Sequence, residues 1–160
     1  MNKETLYQKL SDMLSDRCTP ENITTLLPNE VFVFGSKPNG EHKSGAAKTS
    51  VEKFGAVEGK AEGMSGQSYA IPVHRHRIEK MAEAVAHFIE YAREHSEQTF
   101  YVLPIGCGNA NMDIAMVAKM FTGAIELDNV YLPDVFIKPK SVIRIYRCCM
   151  AVRNPSVFPI

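Results

Sequence analysis

The stretch from Val31 to Lys48 constrains the fold more than any other part of the sequence. Four apolar residues that favour β-structure, Val31 to Phe34, are followed by a loop with glycines and a proline, and small residues then begin a helical pattern at Ala46. This order predicts a buried strand that leads through a loop into a helix N-terminus. Such a junction leaves backbone N–H groups unpaired and suits an anion such as phosphate, although an ordinary β–loop–α connection has the same pattern.

The rest of the chain alternates helical and strand patterns. Apolar periodicity predicts helices over 3–15, 46–54, 78–92 and 114–121, and short apolar runs predict strands over 68–72, 99–105, 129–133 and, at an edge, 141–146. We therefore expect an α/β domain with a mixed or largely parallel sheet and helices on both faces. Ligands of such sheets bind outside the carboxyl ends of the strands, so the glycine loops around Gly40 and Gly106 should share one edge.

Composition narrows the class of protein. The 160 residues suit a single domain, and the net charge of zero argues against broad nucleic-acid binding, which needs a basic surface. No run approaches the roughly 20 apolar residues of a membrane span. The N-terminus lacks the apolar core of a signal peptide, so we expect a cytoplasmic protein with reduced cysteines. Those cysteines lack C-x-x-C spacing, and we expect neither a metal site nor a cofactor.

The glycine loops match neither of the common nucleotide-binding motifs. A P-loop needs G-x-x-x-x-G-K-[ST], which is absent from the sequence. The dinucleotide motif G-x-G-x-x-G begins at Gly106 and Gly108, but Asn111 stands where the third glycine belongs. The sequence therefore disfavours an ATPase and a Rossmann-type oxidoreductase.

The weak catalytic candidates in the loops are His42, Glu41 and Cys107. Cys107 follows a predicted buried strand, where the next helix N-terminus would lower the pKa of a thiol nucleophile, but a buried cysteine is more often a small apolar residue. His42 is flanked by Glu41 and Lys43; it is suited to a phosphate, a ribose or proton transfer, and equally to plain solvation. The run His74–Arg77 suits a bound anion or exposure to water rather than a metal.

Four motifs together resemble a macrodomain-like family of bacterial and phage proteins. They are VFVFGSxxxGxHxxGAA from Val31, KFGA from Lys53, GQSYAIP from Gly66 and IGCG from Ile105, within a resemblance that spans about 29–136. The resemblance implies a three-layer α/β/α fold with a mixed central sheet that binds ADP-ribose or related NAD-derived nucleotides. Residues 1–28 and the tail after Lys138 fall outside the resemblance, and we expect one macrodomain-like domain over 1–160 with a helical N-terminal extension at 1–28 and a C-terminal extension at 139–160.

The same resemblance implies where a ligand lies. Gly35–Ala46 would lie near the distal ribose, Gly106–Met112 around the diphosphate, and Gln67–Tyr69 near the same cleft, with an aromatic ring such as Phe34 or Tyr69 beside a ligand ring. The predicted ligand-binding residues are Phe34, Gly35, Ser36, Gly40, His42, Lys43, Gly45, Ala46, Gln67, Ser68, Tyr69, Gly106, Cys107, Gly108, Asn109 and Asn111.

Binding of a small nucleotide is the function that these features favour. The alternatives are hydrolysis of an ADP-ribosyl bond, sequestration of an NAD-derived signal in phage–host conflict, and an interaction module without a ligand. The asparagine-rich strand end common in macrodomain hydrolases is replaced here by Phe34–Lys37, which argues against hydrolysis.

Overall fold

The computed structural model describes residues 16–108 and 110–137. Within them the chain forms a mixed α/β structure with a five-stranded mixed sheet and four α-helices. The elements are β1 (Glu30–Ser36), α1 (Gly45–Lys53), β2 (Gly63–Ser65), β3 (Ser68–Pro72), α2 (Ile78–Glu94), β4 (Thr99–Val102), α3 (Ile114–Met120), a 3₁₀ helix (Thr122–Glu126), β5 (Val130–Tyr131) and α4 (Asp134–Ile137). None of the helices in these ranges is both long and apolar enough to cross a bilayer.

Several predictions concern residues outside the described ranges. They are the helix over 3–15, the edge strand over 141–146, the C-terminal extension and the role of Asn109. The predicted helices 46–54, 78–92 and 114–121 are confirmed with small shifts of their ends, and the strand predicted over 99–105 is shorter and ends at Val102. β2 is a strand that the sequence analysis does not predict, because it has only three residues and lies in a segment with three glycines, Gly59, Gly63 and Gly66.

The strand order is β2-β3-β1-β4-β5. β1 pairs in parallel with β3 on one side and with β4 on the other, and β4 pairs in parallel with β5. β2 is the antiparallel exception and pairs with β3. From β1 the chain moves to β3 in one direction and then crosses β1 to reach β4 in the other. The order of connection therefore reverses between β1 and β4.

Side chains of β1 alternate between two buried clusters. Val31 and Val33 belong to a cluster that includes Phe88 of α2, whereas Phe32 and Phe34 belong to a second cluster that includes Ala47 of α1. Alternate side chains of a strand point to opposite faces of its sheet, so α1 and α2 cover opposite faces. This arrangement explains the continuous apolar run of β1, which is typical of strands that are buried on both faces.

A short segment before β1, which we call the Arg17–Thr19 clasp, binds to the β4–β5 side of the sheet. The Arg17 guanidinium donates to the carbonyl oxygen of Ile125 at 2.6 Å and also to that of Leu127. The Thr19 hydroxyl lies 2.8 Å from the carbonyl oxygen of Val102. Cys18 forms an isolated parallel bridge with Leu132, directly after β5. The clasp thus joins the segment before β1 to β4, β5 and the 3₁₀ helix.

Candidate functional site

Two loops leave the carboxyl edge of the sheet, one on each side of the reversal. The first loop (37–44) leaves β1 and the second loop (103–113) leaves β4. β1 and β4 pair in parallel, so both loops leave the same edge, and the end of β1 packs against the second loop, since a Cβ added at Gly35 would lie 3.1 Å from Ile105 Cγ2. The predicted common edge is therefore confirmed. The reversal of strand order marks the position where open α/β sheets bind ligands.

The first loop is held against the segment 59–61 by backbone contacts. Gly40 has a φ of 81°, and a Cβ at this position would lie 2.3 Å from the carbonyl oxygen of Gly59. The Gly59 N–H donates to the Gly40 carbonyl at 2.8 Å. The buried Ser36 hydroxyl donates to the carbonyl oxygen of Ala61. Gly40 and Ser36, both predicted to bind ligand, thus have structural contacts that fix the path of the loop.

His42 is buried rather than displayed on the loop surface. Its side chain is 3% exposed, and its ring meets the Phe34 ring edge-on with 5.3 Å between centroids. Nε2 lies 3.0 Å from the carbonyl oxygen of Lys60, and the backbone N–H donates to the Glu58 carboxylate at 3.1 Å. Nδ1 is buried and has no hydrogen-bond partner among the described residues. Sequence reasoning missed this burial, because the neighbours of His42 in the chain are polar or charged.

The helix that follows the first loop begins without a side-chain cap. Ser44 is the N-cap residue in an extended conformation, but its side chain makes no capping hydrogen bond, and the first turn of α1 contains no acidic residue. Gly45 and Ala46, both predicted to bind ligand, are the first two residues of that turn. The first N–H groups of α1, with the positive end of the helix dipole, are therefore not matched by a side-chain anion.

Charged side chains of the first loop pair with one another. Glu41 lies 2.9 Å from Lys37 Nζ and 3.2 Å from Lys43 Nζ. Hydrogen bonds from Lys37 and then Lys43 hold the pKa of the exposed Glu41 carboxyl below its usual value. Glu41 is therefore a poor general acid, because it stays ionised at neutral pH.

The second loop is closed at its start and open at its middle. Gly106 has a φ of 80°, and a Cβ there would lie 3.2 Å from Met112 Sδ. The Met112 N–H donates to the Gly106 carbonyl at 2.8 Å. Gly108 is exposed, with nothing within 4 Å of an added Cβ, and Asn111 takes a left-handed conformation with a φ of 47°. Asparagine tolerates this conformation better than most residues, which explains its occurrence in place of glycine.

Asp113 caps the helix that follows the second loop. Its carboxylate accepts a hydrogen bond from the Ala115 N–H at 3.0 Å, as an N-cap side chain does. α3 has seven residues, and its start already carries a negative charge. A diphosphate at this helix start would be repelled by the carboxylate.

Cys107 does not have the activated thiol that its position suggested. The side chain is partly buried and packs against the larger cluster, with Sγ 3.7 Å from the carbonyl oxygen of Ile105. Burial raises the pKa of the Cys107 thiol above its ordinary value. Of the two interpretations of Cys107, the structure supports the small apolar residue over the activated nucleophile, because desolvation disfavours the thiolate.

The two aromatic candidates are core residues on opposite faces of the sheet. Phe34 is fully buried, and Tyr69 is 4% exposed. The centroid of the Tyr69 ring lies 5.1 Å from that of Phe88 and 5.4 Å from that of Tyr91. Burial, with a smaller contribution from Glu62, raises the pKa of Tyr69 to about 12. Both rings are buried among neighbouring side chains, so neither ring has a face exposed to a ligand in this structure.

Gln67 and Ser68 lie at the other end of the strands. Ser68 pairs with Phe32 near the start of β1, whereas Pro72 pairs with Ser36 at its carboxyl end. Four residues of strand span about 13 Å. The Gln67 side-chain amide donates to the carbonyl oxygen of Leu27 at 2.8 Å, ahead of β1. The prediction that Gln67–Tyr69 lie near the cleft of the glycine loops is therefore wrong about their position.

A separate cavity of about 210 Å³ lies between the carboxyl end of β3 and α2. Within it the His87 ring contacts the Glu62 carboxylate at 2.9 Å between Nδ1 and Oε1. In the described ranges no three His, Cys, Asp or Glu side chains are arranged to hold a metal ion. Sequence reasoning did not predict this cavity. The only available signal was that its lining residues from α2 recur with helical spacing and therefore share one face of the helix. The lining residues are Glu62, Pro72, His74, Lys80, Glu83, Ala84 and His87.

Comparison of the chain with protein-family models, with curated proteins and with solved structures gave no match. The macrodomain-like assignment thus depends on the sequence motifs alone.

Proposed function

We propose that this protein is a macrodomain-like, three-layer α/β/α protein that binds ADP-ribose or a related NAD-derived nucleotide at the carboxyl edge of its sheet. One observation carries the proposal: the strand order reverses between β1 and β4, and the two predicted glycine loops lie on the two sides of that reversal. Ligands of open α/β sheets bind at such a position. The four sequence motifs supply the chemical identity of the ligand.

We assign the diphosphate to the start of α1 rather than to the second loop. The first turn of α1 has neither a side-chain cap nor an acidic residue, whereas α3 begins at the Asp113 carboxylate. An anion at an unoccupied helix N-terminus gains roughly 0.3–2 kcal/mol from the dipole before hydrogen bonds are counted. In the second loop, the exposed Gly108 and Asn111 then face a less charged part of the nucleotide.

The catalytic candidates favour binding over turnover. Glu41 is paired with two lysines, His42 is enclosed by Phe34 and Lys60, and the thiol of Cys107 has a raised pKa. General acid–base and nucleophilic catalysis need groups that titrate near the working pH and reach the substrate. A protein that sequesters an NAD-derived signal would use the same site as a simple binder.

Calorimetry with ADP-ribose tests the proposal. Ser44→Asp places a carboxylate at the start of α1, so we expect affinity to fall at least tenfold, about 1.4 kcal/mol. The same change should raise the stability of the free protein by about 0.5–1 kcal/mol, because a capping side chain is added. Opposite signs in affinity and stability distinguish loss of the site from loss of the fold.

Asp113→Asn is the matched control at the other helix, and its affinity for ADP-ribose should stay within twofold of the wild-type value. Chromatography of the recovered ligand separates a binder, which returns ADP-ribose unchanged, from a hydrolase. A folded wild-type protein that shows neither heat of binding nor thermal stabilisation with millimolar ADP-ribose would refute the proposal.

A further inference from the structure

The cavity between the carboxyl end of β3 and α2 has no part in the proposed nucleotide site. Its volume of about 210 Å³ is below the roughly 300–1,000 Å³ of pockets that hold drug-sized ligands. One water takes about 30 Å³ of the liquid, so the cavity has room for several waters or for one molecule of amino-acid size. A nucleotide is too large for this cavity, which therefore suits a different class of ligand.

The lining combines a small apolar floor with a charged rim. Pro72, at the end of β3, and Ala84 of α2 are buried. Lys80, Glu83 and His87 are exposed and line the same cavity from one face of α2. The rim is therefore accessible from solvent, and the floor offers an apolar surface to a short alkyl group.

The lining contains two pairs of opposite charges that differ in how they are used. The His87 ring contacts the Glu62 carboxylate, with 2.9 Å between Nδ1 and Oε1. Lys80 and Glu83 are three residues apart on α2, a spacing at which side chains can pair. Within the described ranges, however, neither side chain makes a hydrogen bond or an ion pair. An ammonium and a carboxylate thus line one cavity as separate, unpaired charges.

We propose that this cavity binds a small zwitterion of the α-amino acid type. The ligand carboxylate pairs with Lys80 and the ligand ammonium pairs with Glu83, while a short alkyl group lies against Pro72 and Ala84. Hydrogen bonds between ionised groups are stronger than those between neutral groups, and two of opposite polarity fix the orientation of the ligand. The inference does not depend on the proposed nucleotide function.

A simple ion fits the same lining less well. The lining residues include one lysine, two glutamates and two histidines, so neither sign of charge dominates. An anion at Lys80 would lie near the Glu83 carboxylate, and a cation at Glu83 would lie near the Lys80 ammonium. Like charges at such short distances repel, whereas a zwitterion places each of its charges beside the opposite one.

Amide NMR of the wild-type protein tests the proposal with three probes of similar size. Alanine has both charges and a methyl group, propionate lacks the ammonium, and ethylamine lacks the carboxylate. We expect alanine to cause saturable shifts of the amide resonances over 80–87. Propionate and ethylamine should each bind at least about fivefold more weakly, because each lacks one charge-assisted contact.

Three results of these titrations would overturn the proposal. The first is the absence of saturable shifts over 80–87 with alanine at a concentration of tens of millimolar. The second is an affinity for propionate equal to that for alanine, since the cavity is then a simple anion site. The third is an equal affinity for ethylamine, since the cavity is then a simple cation site.

Two variants of α2 test the assigned polarity. Lys80→Gln should weaken alanine at least about fivefold without weakening ethylamine, because it removes the partner of the carboxylate. Glu83→Gln should weaken alanine by a similar factor without weakening propionate, because it removes the partner of the ammonium. Both positions are exposed, and the amide spectrum of each variant shows whether the fold is retained.

Glu79→Gln is the matched control for these variants. Glu79 is exposed in the first turn of α2 and is not one of the lining residues, so the affinity for alanine should stay within about twofold. A folded Lys80→Gln or Glu83→Gln protein with unchanged alanine affinity contradicts the proposal. A loss in Glu79→Gln as large as that in Glu83→Gln also contradicts it, since the overall charge of the helix then accounts for both.

Discussion

The helices that follow the first and second loops begin in opposite ways. α1 starts at Ser44 without a side-chain capping bond, and α3 starts at Asp113 with its carboxylate bonded to the Ala115 N–H. Both loops follow parallel strands at the same edge, and both contain glycines at positive φ. Glycine content alone therefore does not identify an anion site. The two junctions differ in the charge of the N-cap residue, which is neutral at Ser44 and negative at Asp113.

The loops also differ in how closely they are packed. A Cβ at Gly40 would meet the backbone of Gly59 at 2.3 Å, whereas a Cβ at Gly108 would meet nothing within 4 Å. The first loop is thus built around close backbone contacts and the second has an open middle. In a site between the two loops, the first loop would have a fixed backbone and the second loop would leave space for a ligand beside Gly108.

Gly40→Ala should have the largest effect of the changes that test this difference. The new Cβ meets a backbone oxygen and takes a left-handed φ, so we expect a loss of roughly 2–5 kcal/mol in the free energy of unfolding. Gly108→Ala is the matched control, with an expected change of at most about 0.5 kcal/mol. Urea unfolding of both variants measures the difference. Equal stabilities would show that the first loop is not packed as described.

The two helix caps give a second, smaller contrast. Asp113→Ala removes a carboxylate that accepts from Ala115, and we expect a loss of about 0.5–2 kcal/mol. Ser44→Ala removes a side chain that makes no capping bond, so its effect should stay within about 0.5 kcal/mol. Thermal unfolding of the two variants measures both losses of stability. A larger loss for Ser44→Ala than for Asp113→Ala would contradict the assignment of Asp113 as the capped helix start.

The smallest predicted effect is chemical and concerns the second loop. Burial raises the pKa of the Cys107 thiol above its ordinary value, so the reactive thiolate is scarcer at pH 8 than in free cysteine. We expect iodoacetamide to label Cys107 more slowly than free cysteine at pH 8, and the rate to keep rising above pH 9. Peptide mass spectrometry follows this residue separately from the other cysteines. Labelling as fast as that of free cysteine would mean that the thiol is more exposed than the structure shows.

Apolar periodicity predicted the elements that are built from local interactions. The apolar spacing along α2 is such a local feature, and the helix is found in the structure. The shared edge of the two loops also followed from the alternation of strands and helices. β2 was not predicted, because a strand of three residues that includes a glycine is too short to show an alternation of apolar and polar side chains.

The site residues that were misplaced depend on contacts distant in sequence. Tyr69 follows Ser68 at the start of β3, and only the pairing of Ser68 with Phe32 shows that this end lies away from the glycine loops. His42 sits in a polar sequence, and its burial comes from Phe34 and from Lys60, which is 18 residues later. A single sequence contains no direct record of such pairings, so strand register and loop burial had to come from the structure.

The Arg17–Thr19 clasp has a consequence for the order in which the chain folds. Arg17 donates to carbonyl oxygens that stand 108 to 113 positions later in the sequence. During synthesis from the N-terminus, β1, β3 and α2 emerge and can pack before those acceptors exist. The segment ahead of β1 is made early and must wait for the 3₁₀ helix and β5. Because closing so long a loop is slow, we expect the clasp to dock after β1, β3 and α2 have packed, and to add the bridge between Cys18 and Leu132 beside the two-residue β5 only then.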